Sequence, residues 1–326
     1  MPMVCVHALN CAALHQVLQH ARHQLGTAER FAMSSHPTHS SQASHTSHPS
    51  KVVLITGTSS GIGLAAAVAA ARAGWQVVAT LRDTGRAGAL RKAAEEAGVE
   101  LDVRQLDVTD ERSVATAVDG VIADYGRLDA VINNAGAGHL GTLENESVAG
   151  VRTVMEVNFF GVLHVSKAAL PHLRATGGRL ITVTSVGGVI GQPFNEAYCA
   201  AKFAVEGYME SLAPVAARLG VTVSVVEPGA VATEFVNNIG VDLADEVAAA
   251  GPYADALQAY LDRTVAQFHG SAQTPDEAAV AVLEALTADR PAFRLQTSDW
   301  ARQFTGTKLT DLDGSAVLGL TSGWIG

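Results

Sequence analysis

Val52-Val-Leu-Ile-Thr56 runs straight into Gly57-Thr-Ser-Ser-Gly61-Ile62-Gly63 and then into an alanine-rich stretch that ends at Gly74. No other feature constrains the fold as strongly. A short β-branched apolar run bounded by glycine reads as a buried strand, and the stretch after it reads as a helix. Trp75 to Thr80 makes a second strand, and the pattern then repeats, with strands expected at 99–105, 128–133, 179–184, 221–227 and 292–295. Strands that alternate with helices imply an α/β fold: a parallel sheet, doubly wound, with both faces covered. No linker interrupts the chain after residue 51, so residues 51–326 are expected to form one domain.

The first fifty residues are of another kind. Ser34 to Ser50 holds Ser, His, Thr and Pro without a single charged side chain, and such a segment cannot bury enough surface to fold. Residues 1–32 offer at most a weakly amphipathic helix without the basic start and apolar centre of a secretory signal. Eight of the twelve histidines fall in this region, but no fixed spacing makes them a metal site. Residues 1–50 are therefore expected to be a disordered tail, and a translation start at Met33 accounts for the same composition.

Over the whole chain, the totals exclude several classes of function. A formal charge of −10 and a pI near 5.6 argue against nucleic acid or an anionic membrane surface as partner. Three cysteines without metal-ligand spacing, Cys5, Cys11 and Cys199, suit a reduced cytoplasm. No uninterrupted apolar run reaches the ~18 residues of a membrane span, so integral membrane association is not expected.

The glycine loop carries the first chemistry. Between a strand and a helix, backbone amides and the helix dipole attract phosphate. Gly57 allows the tight turn, Gly61 lets the backbone approach a ligand, and Gly63 permits close helix–strand contact, while Ser59 and Ser60 add hydroxyl donors. In this context the pattern points to a dinucleotide. An acid at the end of the second strand would select NAD by its ribose hydroxyl. The chain instead reads Ala79-Thr-Leu-Arg82-Asp83, where Arg82 suits the 2′-phosphate of NADP, although Asp83 stands beside it. The second constellation is Tyr198-Cys-Ala-Ala-Lys202. Positions i and i+4 of a helix are neighbours, and an ammonium beside a phenol favours the phenolate, which would tune Tyr198 for proton transfer.

Together, Thr56-Gly-Thr-Ser-Ser-Gly-Ile-Gly63, Asn133-Asn-Ala-Gly136, Ser185, Tyr198-Cys-Ala-Ala-Lys202 and Pro228-Gly229 stand in the order of the short-chain dehydrogenases/reductases. The chain resembles the single-domain branch of that family over about residues 52–296. Within it, Ser185-Val-Gly-Gly188 and Pro193-Phe-Asn-Glu-Ala-Tyr198 are similar to the members that oxidise and reduce steroids and retinoids.

The resemblance implies that Tyr198 is the general acid/base and that Ser185 holds the substrate oxygen. It implies that Lys202 serves both Tyr198 and the nicotinamide ribose, and that Asn158 positions a water in the proton relay. It further implies that Asp107 and Val108 receive the adenine, that Asn134 lies by the adenosine ribose and braces the sheet, and that Thr233 meets the nicotinamide amide or pyrophosphate. Near the substrate, Arg263 falls where related enzymes have a steroid-contacting histidine, and Asp299 falls near the acid that assists it.

Residues 234–271 are expected to hold the substrate-facing segment. Tyr253, Leu257, Tyr260, Leu261, Val265 and Phe268 recur there at helical spacing, as a helix packed on the core or as a lid over an apolar substrate. With Val189, Ile190, Pro193 and Phe194 as a wall, the expected substrate is a hydrophobic ketone, aldehyde or alcohol. A homodimer or homotetramer is expected through long helices at 150–176 and 196–219. Two other readings stay open: an extended-type epimerase or dehydratase, which the glycine spacing disfavours, and a non-catalytic NADP-binding regulator.

Overall fold

β1 (Val52–Thr56) is buried along its whole length, as a central parallel strand must be when helices cover both faces. The computed structural model describes residues 50–233 and 242–326, and only the backbone of 268–271. The tail at 1–49 and the start of the expected lid, 234–241, lie outside the described residues.

Six further strands join β1: β2 (Gln76–Leu81), β3 (Asp102–Gln105), β4 (Ala130–Asn133), β5 (Arg179–Val183), β6 (Thr222–Glu227) and β7 (Arg294–Gln296). All pairings are parallel and the order is β3-β2-β1-β4-β5-β6-β7. Ile55 of β1 sits between Ala79 of β2 and Ile132 of β4. The order reverses between β1 and β4, and at such a switch point a crevice opens beyond the carboxyl ends of the strands.

One face of the sheet is covered by α3 (Glu111–Tyr125), α5 (Gly161–Thr176) and α6 (Glu196–Ala217), through Val118, Val121, Val165, Leu173, Val205 and Met209. The other face carries α1 (Gly61–Arg72), α2 (Gly88–Ala97) and α9 (Pro275–Thr287). Alanines 65–67 and 70 let α1 lie close to the strands. Local signals set the helix ends: Asp110 caps α3, Gly126 at φ +69° ends it, and Thr274 with Glu277 forms a capping box on α9. At the amino end of β2, the Lys51 ammonium lies 5.7 Å from the Trp75 ring.

A single helical run covers 148–176, formed by α4 (Val148–Met155), a π turn (Glu156–Phe160) and α5. Its 29 residues are apolar enough by length and composition to cross a membrane, which the sequence hides because His164 and Lys167 interrupt the run. Val162, Val165, Ala169 and Leu173 of this run are spent on the sheet.

A third apolar cluster lies apart from the sheet. It joins the 186–194 segment to α7 (Leu243–Ala249), α8 (Ala254–Ser271), α10 (Asp299–Thr310) and α11 (Ser315–Ser322). The last two helices lie beyond residue 296, where the family resemblance ends.

Candidate active site

At the carboxyl end of β1 the glycines do what their positions demand. Gly57 at φ +71° and Gly61 at φ +60° take backbone conformations that side chains disfavour. A Cβ on Gly57 would meet the Ala135 backbone at 2.7 Å, and one on Gly63 would overlap the Gly57 carbonyl and the Asn134 side chain. Gly61 faces the Thr233 methyl, at 3.1 Å from where its own Cβ would stand, so the segments that follow β1 and β6 approach each other across the loop. Ser60, at the N-cap of α1, makes no side-chain bond to the first turn, whose amides are of the kind that attract phosphate. Ser59, Ser60, Gly61 and Ile62 keep partial exposure. The cradle is shaped for a phosphate group.

Asn134 turns out to be a brace. Its Nδ2 donates to the Thr56 and Gly57 carbonyls, both at 3.0 Å, and so fixes the glycine loop to β4. Asp107 lies two residues past β3, where its carboxylate accepts from the Thr109 amide and hydroxyl, and Val108 is buried against Gly161. Arg82 stands exposed just after β2. Asp83 is occupied in capping the following turn, accepting from the Gly85 amide at 2.9 Å, and none of the ion pairs among the described residues joins it to Arg82.

Ser185 follows β5 and opens a 3₁₀ turn, Val186–Gly188, by accepting from the Gly187 amide at 3.0 Å. It also bonds to the Tyr198 oxygen, in the sense that favours the phenolate. Tyr198 and Lys202 sit on the first turns of α6, with the Lys202 Nζ 5.8 Å from the tyrosine ring centre and donating to the Val183 carbonyl at 3.1 Å. The expected phenolate–ammonium balance does not hold in the protein alone. Burial pushes the Tyr198 phenol up from its ordinary value, outweighing the Ser185 bond. Burial likewise pushes Lys202 down to about 8, with the Glu206 charge acting the other way.

Asn158 is fully buried in the π turn, a geometry frequent at functional sites. Its Nδ2 donates to the Ala137 and Val154 carbonyls at 3.0 and 3.1 Å, and its Oδ1 accepts from the Ala137 amide at 3.2 Å. The side chain therefore clamps the loop after β4, and a Cβ on Gly136 would stand 2.9 Å from Asn158 Oδ1 and 3.6 Å from Lys202 Nζ. Asn158, Gly136 and Lys202 thus converge.

The segment expected to face the substrate is packed on itself. Phe194 adopts φ +58°, rare for a large side chain, and its ring lies 5.8 Å from that of Tyr260 on α8. The Tyr260 hydroxyl accepts from Asn195 at 2.7 Å. Ile190, Phe194, Leu257 and Tyr260 are buried together, so this part of α8 packs inward, whereas Val265 is exposed; the Phe268 side chain lies outside the described residues.

Arg263 and Asp299 do not form a pair. The Arg263 guanidinium lies 3.7 Å from the centre of the Trp324 ring, and Asp299 is exposed on α10 beside Arg302. From Trp324 the aromatics continue to Phe304 and Trp300, and the Trp300 ring lies 3.0 Å from where a Cβ on Gly229 would be.

Charged residues missed by the sequence reading lie behind Lys202. Glu206, one turn further along α6, accepts from the Thr184 hydroxyl at 2.5 Å and meets Arg294 of β7 at 3.4 Å. Glu227, at the end of β6, is 3.3 Å from the same arginine. The one available signal was spacing: residues 198, 202 and 206 share a helical face.

Comparison with known proteins identifies the family. Retinol dehydrogenase 8 of Bos taurus is 40% identical over 277 residues, covering 81% of this chain and 87% of that protein. The 17-beta-hydroxysteroid dehydrogenase type 1 of Homo sapiens is 39% identical over 273 residues, covering 81% and 82%. Among solved structures, an alcohol dehydrogenase from the archaeon Thermococcus sibiricus, complexed with 5-hydroxy-NADP, superposes with a TM-score of 0.61 at 29% identity, covering 76% of this chain and 95% of that one. Residues 51–244 match the short chain dehydrogenase family, and the chain belongs to it, an oxidoreductase of the short-chain dehydrogenase/reductase type.

Proposed function

We propose that this protein transfers hydride between NADP(H) and the carbonyl or hydroxyl carbon of a bulky apolar substrate, with Tyr198 as proton donor and acceptor. The observation that carries this reading is the meeting of Ser185, Tyr198 and Lys202 at the carboxyl edge of β5. The bound nicotinamide supplies the hydride chemistry. The chain's residues do the rest. The glycine cradle and the open first turn of α1 hold the pyrophosphate, with Ser59 and Ser60 as donors. Asp107 and Val108 border the adenine, Thr233 borders the nicotinamide half, and Lys202 holds its ribose. Ser185 fixes the substrate oxygen beside the phenol and stabilises charge that develops there. Tyr198, whose burial favours the phenol, gives its proton to that oxygen on reduction, and on oxidation its phenolate takes the proton of the alcohol. Asn158 holds the Ala137 loop against Lys202, where a relay water would sit.

NADP is favoured over NAD because Arg82 is exposed at the strand end while Asp83 is occupied elsewhere. The apolar substrate is favoured by the Ile190, Phe194 and Leu257 cluster and by relatives whose names specify retinol and a 17-beta-hydroxysteroid. The reading places the enzyme in a reducing cytoplasm. It also places a second copy against the two long helices, which leave Phe160, Phe203 and Tyr208 exposed. The test is NADPH absorbance with matched ketones and aldehydes of rising apolar size. Each buried methylene contributes about 0.8 kcal/mol, so catalytic efficiency should climb steeply along the series. A flat profile, or a preference for sugars or acids, overturns the substrate class.

A further inference from the structure

Lys202 is 4% exposed, and a buried ammonium is costly without a countercharge. The hydrogen bond it makes to the Val183 carbonyl is to a dipole, not a charge. The charge that favours its cationic form is the Glu206 carboxylate, one helical turn on and equally buried. Glu206 is held in place from two strands. Thr184, the residue before Ser185, donates its hydroxyl to one oxygen at 2.5 Å, and Arg294 approaches the other at 3.4 Å. Gly188 ends the Ser185 turn directly on this group: a Cβ there would stand 3.0 Å from Glu206 Cγ and 3.1 Å from the Lys202 carbonyl oxygen.

We propose that Glu206 is a positioning residue of the active site: its carboxylate is the buried countercharge that keeps Lys202 cationic, and its bond to Thr184 holds the Ser185 turn against the helix that carries Tyr198. The proposal rests on the reading of Tyr198 and Lys202 as reaction residues. The charged and titratable groups that face the pair are Tyr198 before it and Glu210 after it on α6, Glu227 of β6 and Arg294 of β7. One guanidinium serves three carboxylates, and one oxygen of Glu227 has no hydrogen-bond partner. Burial, with the Glu227 charge adding to it, lifts Glu206 to about 7, and Lys202 loses its proton at about 8.

The chain has five lysines, so selective ¹³Cε-lysine labelling of the full unliganded protein gives a simple spectrum, with Lys202 assigned by Lys202→Arg. Glu206→Gln is expected to lower the Lys202 titration midpoint by roughly one unit. Glu227→Gln removes a repulsion on Glu206, so Glu206 ionises earlier and the Lys202 midpoint holds or rises. A structural disturbance would move both variants the same way. Should Glu206→Gln not fold, Thr184→Val removes the bond that favours the ionised carboxylate and must also lower the midpoint. A midpoint unmoved or raised in Glu206→Gln, or one that falls equally in Glu227→Gln, overturns the proposal. Turnover is read separately, where the alkaline limb of kcat/KM should follow the Lys202 midpoint. A midpoint that falls while the alkaline limb of turnover stays in place upholds the countercharge and overturns the reading of Tyr198 and Lys202 as reaction residues instead.

Discussion

Removing one oxygen tests the route of the proton. Tyr198→Phe keeps the ring and its packing but takes away the atom that Ser185 holds, so turnover should fall about a hundred- to ten-thousandfold while NADPH still binds. Activity within tenfold of wild type would move the proton donor elsewhere. Arg82 is tested by ratio. A charged hydrogen bond contributes about 1.5–3 kcal/mol, so Arg82→Leu should weaken NADP roughly ten- to a hundredfold and NAD little. Equal losses for both cofactors would shift phosphate recognition to Ser59 or Ser60. Lys202 carries a different lesson, because its charge is set by a residue invisible to motif reading. An acid normally reads as a solvent-facing side chain, yet Glu206 on α6 and Glu227 on β6 are 4% and 0% exposed. Their burial follows from how β6, β7 and α6 come together, which no local pattern announces.

At the scale of elements, α8 couples the substrate side to the rest of the fold. Leu257 is 5% exposed among Ile190, Phe194 and Tyr260, so Leu257→Ala should cost about 2–5 kcal/mol, visible as a lower Tm. The same change should reduce kcat/KM for apolar carbonyls and leave NADPH affinity nearly unchanged. Loss of cofactor affinity with substrate efficiency intact would mean that α8 supports the cofactor side instead.

The strands of this fold were legible in the sequence because buried parallel strands are unbroken β-branched runs. Val52–Thr56 is placed to the residue, β2 is displaced by one residue, and β7 starts two residues and ends one residue later than expected. The long helices at 150–176 and 196–219 were legible too, within two residues of the observed ends. α10 and α11 were not. Their buried residues, Ala301, Phe304, Val317 and Thr321, are few and widely spaced, and they pack on the 186–194 segment and on α8 rather than on the sheet. The cofactor cradle could be read because each glycine answers a local backbone demand. The direction of the Tyr198 shift could not, because burial is a property of the assembled site.

At the scale of the whole molecule, α6 and the 148–176 run spend one side on the sheet and leave apolar side chains outside. Phe160, Phe203 and Tyr208 are 40%, 39% and 48% exposed, and Phe159 bridges two of them with ring centres 5.0 and 6.1 Å away. Phe160→Glu combined with Tyr208→Glu should turn an oligomer into a monomer by light scattering, and an unchanged mass would place the subunit contact elsewhere. The chain of rings from Gly229 to Arg263 has an optical consequence. Two of the three tryptophans, Trp300 and Trp324, flank Phe304 in that stack, while Trp75 sits at the opposite end of the strands. Intrinsic fluorescence is therefore weighted toward the substrate-side segment. In Trp75→Phe, a saturating apolar ligand should change the emission at least as much, in proportion, as in wild type. A spectrum blind to ligand would mean that the stack stays rigid through binding, so that substrate enters past a fixed wall and the enzyme needs no moving lid.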